Sequence, residues 1–149
     1  MRSKNLLLSL LSIVAICGCE MPLKFKKQVM KTGNMVLYNI ASFQTTVAEK
    51  KDSLQYKNGF EVLHTYKLSQ TQSDELKAVL TDGKNYSESD SKRCPFMPAY
   101  LIEKDTSLLI MISMSPCSKL SFIEEGKETI IDLVNDNGVE KAISRIVVK

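Results

Sequence analysis

The strongest constraint on the fold of this chain is a pair of cysteines placed symmetrically about a predicted turn. Cys94 and Cys117 are equally distant from the midpoint of Asp105-Thr106. If those two residues turn an antiparallel hairpin, the cysteines face each other near the Cα separation of about 5.5–6 Å that a disulfide prefers. Pro95 and Pro116 indicate that the ladder has ended there, because proline cannot donate to it. We predict a disulfide at the open end of the hairpin; the alternative is a reactive or metal-binding thiol pair.

Several further strands are predicted from alternating or continuous apolar runs. The hairpin itself takes residues 100–104 and 108–114, and further strands are expected at 60–68, 120–124 and 129–134. The stretch 34–48 is ambiguous. Its apolar residues also fall at helical spacing, but Thr45-Thr46-Val47 and Tyr38-Asn39 form helices poorly, which favours a strand at 35–41.

Two helices are predicted, over 70–81 and 138–147, each preceded by a capping box that satisfies otherwise orphaned amide donors. The capping pairs are Ser69 with Gln72 and Asn137 with Glu140. The residues expected to face the core are Leu76, Val79, Leu80, Val139, Ile143 and Ile146. With 44% hydrophobic and 25% charged residues, the chain is suited to one ordinary globular domain. The order of elements predicts a single small α+β domain with a mainly antiparallel sheet, two helices on one side and one disulfide-clamped hairpin.

The N-terminal segment has the pattern of a bacterial export signal. Arg2 and Lys4 precede residues 6–16, which are all apolar or Ser. Such a run is too short to cross a bilayer, for which about 20 apolar residues are needed, and it has the length of a signal-peptide core. Ile16-Cys17-Gly18-Cys19 then resembles the lipobox of bacterial lipoproteins. The resemblance implies that residues 1–18 are removed, and that Cys19 carries a thioether-linked diacylglycerol and an acylated amino group.

The segment that follows the lipobox is predicted to be a lipidated tether over residues 19–33, leaving 34–149 as the folded domain. It contains Lys24, Lys26, Lys27 and Lys31, with Glu20 as its one acid. A solvated linker is the favoured interpretation, and attraction to anionic headgroups is the alternative. Without the two N-terminal cations, the formal charge falls from +3 to +1. This balance gives no electrostatic reason to expect nucleic acid as a partner.

A second resemblance covers roughly residues 60–124. A strand leads into a short helix, then come Cys94 with Pro98-Ala99-Tyr100, a hairpin, and Ser113 four residues before Cys117. This layout is similar to that of small uncharacterised bacterial lipoproteins, in which a Cys-x-x-Pro-type loop precedes the hairpin. Here three residues separate Cys94 from Pro98, and no His follows that proline. The resemblance implies structural residues and no activity.

Candidate catalytic and metal-binding residues are few. His64 is the one imidazole, and a core or edge histidine bonded to a backbone carbonyl is the favoured interpretation. A zinc site cannot be assembled from one His and two bridged cysteines, so no metal and no cofactor are predicted. Ser89-Asp90-Ser91-Lys92 matches the S-x-x-K motif of penicillin-binding enzymes, but the partner motifs S-D-N and K-T-G are missing from the sequence.

The acidic residues near the C-terminus give no clear site. Residues 132–138 are rich in Asp and Asn, but Leu133 stands where a calcium-binding EF-hand loop requires Asp, so a turn and helix cap are predicted. Glu124 and Glu125 are adjacent and should point to opposite faces of a strand. No catalytic residue is predicted.

From these patterns we expect a non-enzymatic binding or accessory lipoprotein of the cell envelope. An inhibitor or immunity protein is one form of this expectation. The membrane would be one partner, through the lipid on Cys19. A protein or envelope component would be another, bound by the sheet face or the 84–98 loop. The expected location is the outer membrane facing the periplasm, with the inner membrane and the cell surface as alternatives. The alternative function is a small hydrolase that uses carboxylates at Glu124, Glu125 or Asp132.

Overall fold

The computed structural model describes residues 23–46, 49–87, 93–105, 108–124 and 126–148. Over these residues the chain forms three α-helices and seven strands. The helices are α1 (Leu23–Met30), α2 (Gln70–Thr81) and α3 (Gly138–Val147). The strands are β1 (Met35–Gln44), β2 (Tyr56–Lys57), β3 (Phe60–Lys67), β4 (Tyr100–Lys104), β5 (Leu108–Ser113), β6 (Lys119–Glu124) and β7 (Lys127–Asp132).

All seven strands belong to one antiparallel sheet in the order β2-β3-β1-β4-β5-β6-β7. Strands β4 to β7 form a meander in chain order, and β1 lies between β3 and β4. The prediction of a single α+β domain with a mainly antiparallel sheet is confirmed. The number of helices is wrong by one, because α1 lies in the segment predicted to be a tether.

The helices pack against one face of the sheet and form the main core there. Alternate strand residues point to opposite faces, so one set of apolar side chains meets the helices. That set includes Leu37 of β1, Ile102 of β4, Ile110 and Ile112 of β5, and Leu120 and Phe122 of β6. The helices contribute Phe25, Val29, Leu76, Leu80, Val139, Ala142, Ile143 and Ile146.

Helix α1 corrects the expectation of a solvated linker over residues 23–33. Phe25 is 1% exposed and stacks on Phe122 of β6, with ring centroids 4.1 Å apart. Val29, one helical turn later, is also buried. An i, i+4 apolar pair on one face is enough to attach a short helix to a core, even where lysines dominate the composition.

The chain after α1 is also fixed to the domain. Lys104 Nζ donates to the Thr32 carbonyl over 3.3 Å, and the Asn34 amide donates to Asp105 Oδ1 over 3.1 Å. Between them, Gly33 has a φ of 150° and passes so close to Asp105 that an added Cβ would lie 1.8 Å from its Oδ2. Only glycine fits there without displacing the turn after β4.

The two predicted helices are confirmed, with a difference at one cap. Ser69 and Gln72 form the complete capping box of α2, with both reciprocal hydrogen bonds present. At α3, Asn137 Oδ1 accepts from the Glu140 amide over 2.9 Å, as predicted. The reciprocal half is wrong, because Glu140 Oε1 accepts no hydrogen bond from the described part of the chain. The cap therefore has one of its two predicted bonds.

The predicted disulfide is confirmed, but the hairpin register that led to it is wrong by one residue. Cys94 and Cys117 are bonded, with Cα atoms 6.1 Å apart. Lys104 pairs with Leu108, so three residues rather than two connect β4 to β5. The ladder stops near the pair Tyr100–Ile112, and both cysteines lie beyond it in irregular segments. Because these segments are not constrained by the hydrogen bonds of the ladder, they can bring the two sulfur atoms together despite the shifted register.

The remaining strands agree with the predictions within a few residues. The ambiguous segment at 34–48 is a strand in its first part, since β1 covers Met35–Gln44. The strand predicted at 129–134 begins earlier and ends at Asp132. The two-residue strand β2 was not predicted, because a pair of residues is too short to show alternation.

Candidate functional site

The second face of the sheet has its own small apolar cluster, which we call the open face. Its buried members are Tyr38, Ile40, Phe60, Leu101 and Met111. Each lies on a strand, and within the described ranges no helical residue belongs to this cluster. A sheet with helices on one side alone leaves the other side available for contacts with another molecule.

The loop that carries Cys94 covers part of the open face. Phe96 packs against the apolar cluster, and Pro98 is buried. The Ala99 carbonyl accepts from the Ile40 amide over 3.0 Å, which attaches the end of the loop to β1. The disulfide to Cys117 holds the beginning of the loop. The loop is therefore held at both ends over the sheet.

A groove of about 420 Å³ lies on the open face, beside this loop. Its apolar lining includes Phe60, Phe96, Met111 and Ile123, and its polar lining includes Gln44, Asn58 and Glu128. The groove therefore offers both apolar surface and polar groups that could orient a partner. The Ser121 hydroxyl hydrogen-bonds the Glu128 carboxylate beside the groove.

Three polar side chains on the open face contact one another. Lys57 Nζ lies 2.7 Å from Glu103 Oε2, and the Tyr38 hydroxyl donates to the same oxygen over 3.0 Å. Lys57 Nζ also lies 5.3 Å from the centre of the Tyr38 ring. Lys57 lies on β2, Glu103 on β4 and Tyr38 on β1. In the sheet order, β3 and β1 lie between β2 and β4. We call this group the Glu103 triad.

The charges of the Glu103 triad stabilise each other. The hydrogen bond from Lys57 lowers the pKa of Glu103 below its ordinary value of 4.5 and raises the pKa of Lys57 itself. Burial raises the pKa of Tyr38, and the neighbouring Glu103 carboxylate raises it further. At neutral pH the triad therefore holds an ionised carboxylate, an ammonium and a neutral phenol. This arrangement is a satisfied ion pair on the open face.

Sequence reasoning missed the Glu103 triad. Lys57 and Glu103 are 46 residues apart in the chain, and Tyr38 and Glu103 are 65 apart. Nothing in the spacing of these residues indicates a contact, because the contact depends on the order of the strands in the sheet.

His64 lies on β3 and is exposed. Its Nδ1 is in contact with the carbonyl of the neighbouring Leu63, and its ring lies 6.4 Å from that of Tyr66. The expected carbonyl contact is therefore present. Asn39 pairs with His64 and Ile40 with Val62, so β3 has one extra residue, Leu63, at a bulge, and the residues of β3 before and after it turn to different faces.

Two of the acids of the alternative hydrolase, Asp132 and Glu124, have backbone positions at opposite ends of one ladder. Asp132 pairs with Lys119 across the β6–β7 ladder, and its Oδ1 lies 3.5 Å from Lys119 Nζ. Glu124 pairs with Lys127 at the other end of the same ladder. Five ladder steps separate the two positions, which is about 17 Å at 3.4 Å per residue. Glu125 lies outside the described residues.

Other predicted site residues also lie outside the described ranges. These are Cys19 with the lipobox, and the S-x-x-K match at 89–92. The predicted turn and cap at 132–138 is present: Asp136 has a φ of 59°, and Asn137 caps α3. In the described ranges, no three His, Cys, Asp or Glu side chains group as a metal ion would require.

A second groove, of about 460 Å³, lies between α2 and α3 on the helical side. Its lining includes Gln72, Ile146 and Val148, together with Glu75 and Arg145, which form an ion pair. None of the helices in the described ranges has the length and hydrophobicity needed to cross a bilayer.

No family model matches the chain, and no curated protein or solved structure matches it. The resemblances to the lipobox and to small bacterial lipoproteins therefore stay predictions from the sequence.

Proposed function

We propose that this chain is a lipid-anchored, non-enzymatic binding protein of the bacterial cell envelope, and that the open face binds its partner. The anchor is supported by the sequence alone: a short apolar run followed by Ile16-Cys17-Gly18-Cys19. Acylation at two positions or more holds a protein on a membrane far more firmly than one chain does. The domain would then act at a fixed distance from the bilayer.

The observation that carries the binding site is the one-sided sheet. Helices cover one face, while the open face has a groove of mixed polar and apolar lining beside a loop that a disulfide holds in place. A preformed groove loses little conformational entropy when a partner binds, which favours affinity. The lining combines Phe60, Phe96 and Met111 with the charged Glu128. Such a lining suits a protein segment that presents an apolar side chain with polar groups around it.

Binding rather than catalysis is favoured by the state of the paired carboxylates on the sheet. Glu103 is paired with Lys57, and Asp132 with Lys119. A catalytic acid or base needs a pKa near the working pH, whereas the pKa of Glu103 moves away from neutrality. These carboxylates are suited to holding the strands of the sheet together.

The partner site can be tested by photo-crosslinking in living bacteria. A photoreactive amino acid at Met97, which is exposed on the loop beside the groove, should yield one crosslinked protein of defined mass. The same amino acid at Val148, exposed at the end of α3, is the matched control. Phe96→Ala should abolish the Met97 crosslink, because Phe96 lines the groove. Equal crosslinking from both positions, or crosslinking that Phe96→Ala does not reduce, would contradict the proposal.

The anchor can be tested separately by cell fractionation. Cys19→Ala should remove the lipidation site and move the protein out of the fraction that floats with lipids. The Cys17→Ala variant is the control, because the lipobox places the lipid on Cys19 alone. Loss of flotation in both variants, or in neither, would contradict lipidation at Cys19.

A further inference from the structure

We propose that the outward face of α1 docks on the anionic phospholipid headgroups of the membrane that holds the chain. This inference rests on the proposed lipid anchor at Cys19 and adds an orientation of the domain to it. The face consists of Leu23, Lys27 and Lys31, and we call it the α1 outer face.

The α1 outer face follows from the packing of the helix. Phe25 and Val29 point into the core. Because successive residues of a helix are rotated by 100°, Lys27, midway between them in the chain, points away from the core. Leu23 lies about 40° from this direction and is 67% exposed. Met30 is 57% exposed, but its Sδ accepts from the Thr81 hydroxyl, so it belongs to the side of the helix that meets α2. An exposed apolar side chain among lysines is typical of helices that lie in the membrane interface, where the apolar groups enter the acyl boundary and the cations meet phosphates.

The charge of this region has one sign. Residues 23–34 contain Lys24, Lys26, Lys27 and Lys31 and no acidic residue. Two acids near the end of α1 are paired with other lysines: Asp105 with Lys104 at 2.9 Å, and Asp74 with Lys77 at 3.7 Å. The exposed Lys27 and Lys31 give the α1 outer face a positive potential. It complements an anionic leaflet and would repel a basic surface.

The length of chain between the lipid and the helix makes this contact efficient. Helix α1 begins at Leu23, and the four residues from Cys19 can span at most about 14 Å when fully extended. A short link keeps the α1 outer face at a high effective concentration next to the headgroups. Each lysine that meets an anionic surface then strengthens docking roughly fivefold.

The consequence is a defined orientation of the domain. Helix α1 belongs to the helical layer, since it packs on Phe122 and contacts α2. The open face lies on the opposite side of the sheet. Docking of α1 therefore points the groove away from the bilayer, toward a partner that arrives from the aqueous side.

The sequence has no Trp, so a single introduced Trp reports its own surroundings. The experiment uses the mature lipidated chain in two kinds of vesicle: phosphatidylglycerol mixed with phosphatidylcholine, and phosphatidylcholine alone. Leu23→Trp places the fluorophore on the α1 outer face, and Phe43→Trp places it on the exposed end of β1 as a control. Quenching by brominated phospholipid measures contact with the acyl boundary, and flotation in phosphatidylcholine measures the anchor.

We expect flotation in both lipids, with strong quenching for Leu23→Trp in the anionic vesicles and none for Phe43→Trp. Adding Lys27→Gln and Lys31→Gln should weaken docking about thirtyfold, from the loss of two charges. The pair Lys50→Gln and Lys51→Gln is the control and should leave docking unchanged. Flotation without quenching for Leu23→Trp would overturn the α1 docking while leaving the anchor intact. Quenching that the Lys27→Gln and Lys31→Gln pair reduces no more than the control pair does would overturn it in the same way. Absence of flotation in both lipids would overturn both proposals.

Discussion

Replacement of Phe25 by Ala tests most directly whether α1 belongs to the folded domain. The ring is 1% exposed and stacks on Phe122 at 4.1 Å with an interplanar angle of 28°. Because Phe122 lies in β6, this contact attaches the helix to the middle of the main core. Phe25→Ala removes the ring and leaves a cavity between the helix and the sheet.

The expected loss of stability is large. Phe→Ala at a fully buried site costs about 3–5 kcal/mol, which combines lost transfer free energy with the cavity left behind. Part of this loss is the aromatic pair itself, at roughly 0.5–1.5 kcal/mol. With a urea m-value of roughly 1.5–2 kcal/mol/M, the midpoint of unfolding should fall by about 2 M.

The assay is urea unfolding of the purified chain, followed by far-UV circular dichroism under non-reducing conditions. Lys27→Ala is the matched control, because Lys27 lies on the same helix and is exposed. Its midpoint should stay close to that of the wild type, since surface substitutions change stability by at most about 0.5 kcal/mol. A Phe25→Ala midpoint equal to that of Lys27→Ala would refute the packing of α1 and restore the interpretation of this segment as a linker.

Three further predictions concern the disulfide, the Glu103 triad and the histidine. Cys94→Ala and Cys117→Ala should each lower the free energy of unfolding by about 3 kcal/mol, and the double variant should cost little more, because both remove one bond; additive losses in urea unfolding would contradict this. The pKa of Glu103 is lower in the folded protein, so its stabilisation is present above the ordinary value of 4.5 and is lost as the pH falls through the folded pKa. The difference in unfolding free energy between wild type and Glu103→Gln should therefore shrink below pH 4.5, and a difference that grows on acidification would be the opposite result. His64→Gln should change neither the thermal midpoint nor the Met97 crosslink, because the ring is exposed; a lost crosslink would assign His64 to the partner site.

The elements that sequence reasoning located correctly are those with local signals. Helix α2 has a capping box at Ser69 and Gln72, and both the cap and the core residues Leu76 and Leu80 follow from spacing over a few residues. The meander from β4 to β7 has turn residues between short apolar runs, so its strands were also predictable.

The features that were missed depend on information outside a local window. Helix α1 has three lysines among its eight residues, and its two core residues, Phe25 and Val29, give a weak apolar stripe that the lysines obscure. The register between β4 and β5 depends on the length of the turn, which has three residues and begins with Asp105 at a φ of 49°. The open face and its groove exist because β1 lies between β3 and β4, which no property of a single strand determines.

The central claim is that a small disulfide-stabilised domain is held on a membrane through Cys19, and mass spectrometry of its N-terminal peptide tests that claim most directly. The protein would be isolated from the membranes of the cells that make it, separated from free membrane lipids, and then digested. The account predicts a peptide that begins at Cys19 and carries the mass of a thioether-linked diacylglycerol and an amide-linked acyl chain. A peptide that retains residues before Cys19, or one that begins at Cys19 without lipid, would contradict it.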